Sequence, residues 1–489
     1  MWKRVGLTGI TAAAVLLAGC ARYHPAPLSP GETAAALESR TLAANPRLQD
    51  FLRASLPGAP DGPPEWNLAT LTLAALYFHP DLDIARSRLL VARAGVRTAG
   101  QIPNPTVNLS PLYNLTVAQP TPWTVGGVVN FVVETFGKRG YRTEQARAFA
   151  ESARWDLATA GWQVRGRVRS AILNFWAAER RLALAKRRSE LQQQLVGLLE
   201  QRFAAGQASA LDVTRERINR AQIELGARDL ERAAADARVQ LATVIGVPAR
   251  ALDGLAISFA EFDGPEPPRG IGTSAPDLRR RALTSRTDVQ ASLADYKAAD
   301  AALRLQIANQ YPNLTIGPEY NWGAIETERI SNQVGVPIGF ELPIFHQNQG
   351  PIAEAVARRK QAAATFTALQ AHIIGEVDAA ATAYRSASET LATANALTAD
   401  EQRRAQQVER SFRAGDVDRP ALVGAQLELA VAEASRFDAG VARYQAIGAL
   451  EDALQQPFFD PGVWPVVPES SPRTASAEAS GERPEPAHE

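Results

Sequence analysis

The chain has 489 residues, with 52 Lys and Arg against 52 Asp and Glu, and 46% of it is hydrophobic. Zero net charge leaves no basic surplus to neutralise phosphates, so a dedicated nucleic-acid binder is excluded. One Cys permits no intrachain disulfide or Cys-based zinc site, and the five His (24, 79, 346, 372 and 488) show no metal-ligand spacing. No nucleophile, base and oxyanion-donor set can be assembled, so nothing supports an enzyme, and no cofactor is expected. Past the first twenty residues there is no apolar run of eighteen, so no membrane-spanning helix is expected there.

The chain opens with Lys3 and Arg4, an apolar stretch from Val5 to Leu16, and then Leu17-Ala18-Gly19-Cys20. A basic region, a short apolar region and small residues at a cleavage point describe a secretory signal over residues 1–19. Leu-Ala-Gly-Cys resembles the bacterial lipoprotein lipobox. That resemblance implies a covalent lipid on Cys20, with Ala21 after it favouring outer-membrane sorting. Acyl chains contribute ~0.8 kcal/mol per buried CH₂, so two or three would anchor residues 20–66 firmly. An ordinary buried Cys is the alternative.

The body repeats itself. Phe136 and Phe345, Val168 and Val377, Leu182 and Leu391, Phe203 and Phe412, and Gly206 and Gly415 are all separated by 209 residues. Such a period is too long for a solenoid and marks duplication of a large unit. Repeat 1 covers 67–262: a helix from Asn67 to Gln101, a β-hairpin at about 105–135, a long helix 139–203 and a return helix 210–245. A Pro/Gly-rich linker, 263–274, follows. Repeat 2 covers 275–458: a helix, a hairpin at about 313–343, a long helix 351–412 and a return helix 420–455. Residues 459–489 read as a C-terminal segment whose Pro/Ser/Glu-rich tail after Val467 is largely disordered.

Asn67 and Ser209 are expected N-caps, and Gly206 suits the left-handed position that ends the long helix. His79-Pro80-Asp81 reads as a break in the first helix. The long helix carries a stripe with steps of three and four: Leu157, Ala160, Val164, Val168, Ala171, Phe175, Ala178 and Leu182. The two shorter helices together match its length, so they are expected to stack end to end alongside it. Two such rods have little globular core, and their exposed stripes imply lateral partners.

The hairpins alternate. Val107, Leu109, Pro111 and Tyr113 share one face and Asn108 and Ser110 the other; Val129, Phe131 and Val133 oppose Asn130 and Glu134. In repeat 2, Leu314, Ile316, Tyr320 and Trp322 oppose Glu319 and Asn321. Strands of 11 to 13 residues with apolar-out, polar-in alternation fit a membrane barrel, which needs ~9–11 tilted residues per crossing. The polar set, Asn108, Asn130, Glu134, Glu319 and Asn321, would line a pore. A soluble sandwich alternates too. Four strands cannot close a barrel, however, and open edges are forbidden in lipid, so several chains would have to pool them.

The order of signal, lipobox and twice-repeated helix, hairpin, long helix and return helix resembles the TolC-like outer membrane factors, over about Asn67 to Phe458. Particular echoes are Arg202-Phe203-x-x-Gly206 before Leu211-Asp212-Val213, and Ser411-Phe412-x-x-Gly415 before Ala425-Gln426. Pro103-Asn104-Pro105, Glu134-Thr-Phe-Gly-Lys-Arg139 and Leu342-Pro-Ile-Phe are closer to the CzcC-like metal-efflux branch. The resemblance implies a mainly α fold with membrane β. Long antiparallel coiled-coil pairs would form an α-barrel, and two hairpins (four strands) would join a shared trimeric twelve-stranded β-barrel.

It also implies a homotrimer in outer membrane lipid, extending into the periplasm. A periplasmic adaptor (membrane fusion) protein and an inner-membrane pump of RND type would serve it. The tip turns would centre on Phe203, Gly206, Asp212, Phe412 and Gly415. Family members often carry an Asp where this chain has Gly424, so Asp416 and Asp418 are the alternative mouth-gating acids; turn and N-cap chemistry is their other reading. The function implied is passive conduction of efflux substrates. There is no P-loop to make the chain an engine. A lipid-anchored periplasmic coiled-coil scaffold without a pore, or the outer membrane duct of a type I secretion system, are the alternatives.

Overall fold

The computed structural model describes residues 23–56, 65–115, 121–263, 274–326, 329–458, 467–469 and 471. The expected signal and Cys20 lie outside them, as do most of the linker and the turns of both hairpins.

Two helices, α1 (Pro30–Glu38) and α2 (Pro46–Ser55), occupy the segment to which the sequence reading assigned no element. Each starts with Pro in its first turn behind a capping side chain, Ser29 or Asn45. Leu42, Leu48 and Leu52 are fully buried, so the segment is a strap on the body.

The expected first helix is split into α3 (Leu68–Phe78) and α4 (Pro80–Gly100). Pro80 has no N–H to continue the ladder, and His79 caps α4 by accepting from the Asp81 N–H through Nδ1 at 3.2 Å. Asn67 and Thr70 close a capping box at the start of α3. Then come α5 (Lys138–Ala204), α6 (Ala210–Ile245) and the single turn α7 (Ala260–Asp263). Repeat 2 has the same plan: α8 (Ala275–Ser285) and α9 (Thr287–Ala308), the long α10 (Gln349–Ala414) and α11 (Arg419–Leu454). At 1.5 Å per residue, α5 and α10 are rods of about 100 Å.

α4 and α6 pack along one flank of α5, and α9 and α11 along the other; α10 packs on α9 and α11. The row is therefore α4/α6, α5, α9/α11, α10. The end-to-end stack is tight where α3 gives way to α4. A Cβ on Gly246, which ends α6 at φ +86°, would lie 3.0 Å from the Phe78 carbonyl oxygen. Arg40 of the strap donates to both Phe78 O (3.0 Å) and Gly246 O (2.7 Å). Contrary to the expectation of little core, a contiguous core sits at this level. It joins Leu71, Leu76 and Leu82 to Val168, Ile172, Leu241 and Ile245 from repeat 1 and to Val377, Ile447 and Leu454 from repeat 2.

The segment expected to lose order after Val467 is anchored at its described residues. The Val467 side chain is buried in the space left by Gly161, Pro468 O accepts from the buried Arg86, and Glu469 pairs with Arg93 and Arg154.

The strands are β1 (Thr106–Tyr113), β2 (Trp123–Val133), β3 (Leu314–Ile316), β4 (Glu319–Glu326), β5 (Arg329–Gly335) and β6 (Ile338–Phe340). All pairings are antiparallel. β3 and β4 both pair with β2 in one unbroken register (Phe131 with Ile316, Val125 with Trp322), interrupted only at Gly317-Pro318. β6 and β5 continue that register on the far side. The repeat 2 strands are thus two long lines, each broken where a Pro withholds its N–H. β1 at one margin and β5 and β6 at the other have no further partner among the described residues.

Candidate functional site

Pairing fixes which side chains share a face. One face of the sheet carries Val107, Leu109, Pro111 and Tyr113 of β1, Trp123, Val125, Val129, Phe131 and Val133 of β2, and Leu314, Ile316, Tyr320, Trp322, Val334, Ile338 and Phe340 of the rest. Most of these are exposed, among them Leu109, Trp123, Val334 and Phe340. The one polar side chain in that field, Asn332, accepts a hydrogen bond from the Tyr320 hydroxyl at 2.6 Å. A continuous exposed apolar surface of this kind marks contact with lipid or protein.

The other face brings together Asn108, Asn130, Glu319 and Asn321, with Ser110, Thr124 and Gln333. Asn321 Nδ2 donates to Glu319 Oε1 at 2.9 Å. Glu134 does not join this set as a free charge. It follows β2, is nearly buried, and takes two hydrogen bonds from Arg142 (2.6 and 3.2 Å) at the start of α5. The polar face is also crowded. A Cβ on Gly126 would lie 2.4 Å from Asn321 Oδ1, one on Gly323 2.7 Å from Thr124 Oγ1, and one on Gly339 2.8 Å from Thr315 Oγ1. On the apolar face the corresponding contact, Gly127 to Leu109, is 3.3 Å. These glycines leave room for the polar side chains of the neighbouring strands. At Gly126 the close approach is made by the Asn321 side chain.

The sheet is bolted to the helices across the two repeats. Thr135 Oγ1 donates to Pro312 O (2.6 Å), Lys138 Nζ donates to Tyr311 O (2.5 Å) and Asn313 Oδ1 (2.7 Å), and the Phe136 and Tyr311 rings stack at 3.9 Å. The motif Glu134-Thr-Phe-Gly-Lys and the repeat 2 Pro-Asn pair are the two halves of this joint.

Below the sheet, the face of α5 opposite the core aromatics Phe175 and Trp176 lines an open trough of about 1280 Å³ shared with α6, α10 and α11. Its arginines are matched to acids: Arg167 to Asp81 (2.8 Å), and Arg286 to Glu376 and Asp288 (2.7 Å each). Behind it, Arg165 and Arg169 of α5 grip Glu451 and Asp452 of α11, with Glu451 fully buried. Burial pushes the Glu451 carboxyl up, against the pull of Arg169 and Arg165.

At the far end, the turns of the two repeats superpose in chemistry. Gln207 N donates to Arg202 O (2.8 Å) and Asp416 N to Ser411 O (2.9 Å), with Gly206 at φ +73° and Gly415 at φ +86°. These six-residue closures need a left-handed residue that only glycine adopts without strain. Ser209 caps α6 by accepting from the Asp212 N–H (3.1 Å). Asp418 caps α11 by accepting from the Ala421 N–H (2.8 Å), and it also accepts from Arg202 of the other turn at 2.7 Å. The Ala421 N–H and the Arg202 guanidinium hold the Asp418 carboxyl below the ordinary range.

The family model for the outer membrane efflux protein matches residues 73–247 and 278–455, one match in each repeat. This chain belongs to that family. The cobalt-zinc-cadmium resistance protein CzcC of Cupriavidus metallidurans is 28% identical over 300 residues, 60% of this chain and 66% of that one, just under two thirds of its length. The pyoverdine export outer membrane protein OpmQ of Pseudomonas aeruginosa is 26% identical over 479 residues, 90% of this chain and 95% of that one. The solved outer-membrane channel OprN shares the fold, with TM-score 0.63 at 20% identity over 90% of this chain and 99% of that one.

In this outer membrane efflux protein, Phe203 and Asp212 are exposed beside Gly206, and Phe412 is half-buried beside Gly415. Asp416 is exposed and its carboxylate has no bond among the described residues, whereas Asp418 is committed to its cap and to Arg202. Gly424 has open space beside it. Sequence reasoning missed Arg202 as the partner of Asp418. The pair lies 216 residues apart in the chain, and its only signal was the charge of each turn.

Proposed function

We propose that three copies of this chain form the outer-membrane exit duct of a tripartite efflux system. A single observation carries the reading: the sheet has one exposed apolar face, one polar face and, among the described residues, two unpaired margins. Four strand lines cannot close, and an open margin in hydrocarbon costs several kcal/mol per unsatisfied backbone group. Three copies, each giving two hairpins, supply twelve strands with no margin left, and the polar face becomes the wetted lumen.

The helical row supports the same closure. Its outer members present Leu90, Val91, Ile218 and Leu225 on the α4/α6 side and Leu397 on α10, all exposed. In a closed ring each margin covers that of the next copy. The turns at Gly206 and Gly415 then lie at the periplasmic mouth, where a periplasmic adaptor protein and an inner-membrane pump of RND type meet the duct, and Asp416 and Asp418 are its acids. Acylated Cys20 adds a lipid anchor.

The test is fractionation of Cys20→Ser protein. A pore-former still requires detergent and runs as a trimer, whereas a lipid-anchored scaffold becomes water-soluble as a monomer or dimer, which would sink the proposal. A deletion strain challenged with zinc, cobalt and cadmium salts against a panel of antibiotics reads out the cargo; metal sensitivity assigns it to the class named for the Cupriavidus relative.

A further inference from the structure

The described side chains of the six strands include one carboxylate, Glu319, and no cation. Its row across the polar face is Asn108, Val128, Glu319, Gly335. Gly335 leaves the neighbouring space empty, so that a Cβ there would lie 3.6 Å from Glu319 Oε2. The only hydrogen bond to the carboxylate among the described residues is the neutral donor Asn321 Nδ2. An ionised carboxylate without a cation stays on such a face only where water reaches it. In the trough below, by contrast, most acids are paired with arginines: Asp81 with Arg167, Asp288 and Glu376 with Arg286, and Asp452 with Arg169, leaving Asp236 without a pair among the described residues. Among the described side chains of the strands, Glu319 is therefore a negative charge without a cation at its level.

We propose that Glu319 is the residue that sets charge preference in the sheet. Repeated in each copy, it forms a ring of carboxylates that draws cations into the lumen and disfavours anions. This rests on the trimeric duct reading. A wide lumen makes the effect depend on salt. The screening length is ~30 Å at 0.01 M and ~3 Å at 1 M, so the ring's field spans the opening only in dilute electrolyte.

Full-length protein reconstituted in planar bilayers tests this under a KCl gradient, with the K⁺/Cl⁻ permeability ratio read from the reversal potential. Near 0.01 M the ratio should exceed one, fall about twofold or more in Glu319→Gln, and fall further in Glu319→Lys; all three should converge in ~1 M salt. Size-exclusion chromatography confirms that the variants assemble. An unchanged ratio in Glu319→Gln, with conductance steps present, overturns the assignment. A fall confined to Asp416→Asn moves the selectivity to the turns and also overturns it. Assembled protein that gives no conductance steps overturns the duct reading itself, and this inference with it.

Discussion

α5 and α10 hold the same place in the two repeats and have nearly the same length, 67 and 66 residues. Their surroundings are not the same. α5 lies inside the row, covered on both flanks, and buries Leu157, Val164, Arg165, Arg169 and Ile172 among many others. α10 ends the row and buries only Ala355, Ile373, Val377, Ala380, Thr398 and Ala405. Equivalent helices thus do different work. The first organises one chain, and the second leaves a long face for a neighbour.

The contrast can be broken most severely at the crossing of α5 and α11. Glu451→Ala strips a fully buried acid from Arg165 and Arg169. Removing one member of a buried ion pair costs about 3–5 kcal/mol, so a large fall in Tm, or failure to fold, is expected in thermal unfolding followed by circular dichroism.

Next comes Leu157→Ala, inside α5, where an apolar truncation costs about 2–5 kcal/mol, against Leu397→Glu on the open side of α10. The first should lower the midpoint without changing the oligomer. The second should leave helical content and the monomer's stability nearly unchanged and reduce the trimer fraction in size-exclusion chromatography. Equal effects of both on folding would show that α10 is not a free margin.

The smallest effect is at the turns. Asp418→Ala loses a cap worth about 0.5–2 kcal/mol, and Arg202→Ala loses a surface pair worth about 0.2–1 kcal/mol. Because the folded Asp418 carboxyl titrates below its unfolded value of about 3.9, its stabilisation is present above that value and lost as pH falls through the folded one. The stability gap between wild type and Arg202→Ala should therefore be constant from pH 7 to pH 5 and close in more acidic solution. A gap that persists below the folded value would remove Asp418 as the partner.

Much of this was legible along the chain. The duplication is legible because matching residues recur at one constant offset of 209, and the capping at Asn67 and Ser209, the break at His79 and the glycine turns are local, because each depends on residues within one or two helical turns of each other. The alternation that separates Val107 and Leu109 from Asn108 needs only the period of two. The strap was not legible. Leu42, Leu48 and Leu52 are three apolar residues in a short polar stretch, and their burial depends on a core drawn from both repeats. The anchoring of Val467 to Glu469 was hidden in the same way, inside composition that favours disorder.

Sequence alone determined that this protein consists of paired rods and amphipathic strands, because backbone periodicity and end chemistry are short-range. Only the tertiary structure decided which rod is interior, that Glu134 is spent on Arg142 while Glu319 is not, and that Arg202 reaches Asp418. Those outcomes depend on which surfaces meet across two hundred residues, and a face's periodicity does not record its neighbour.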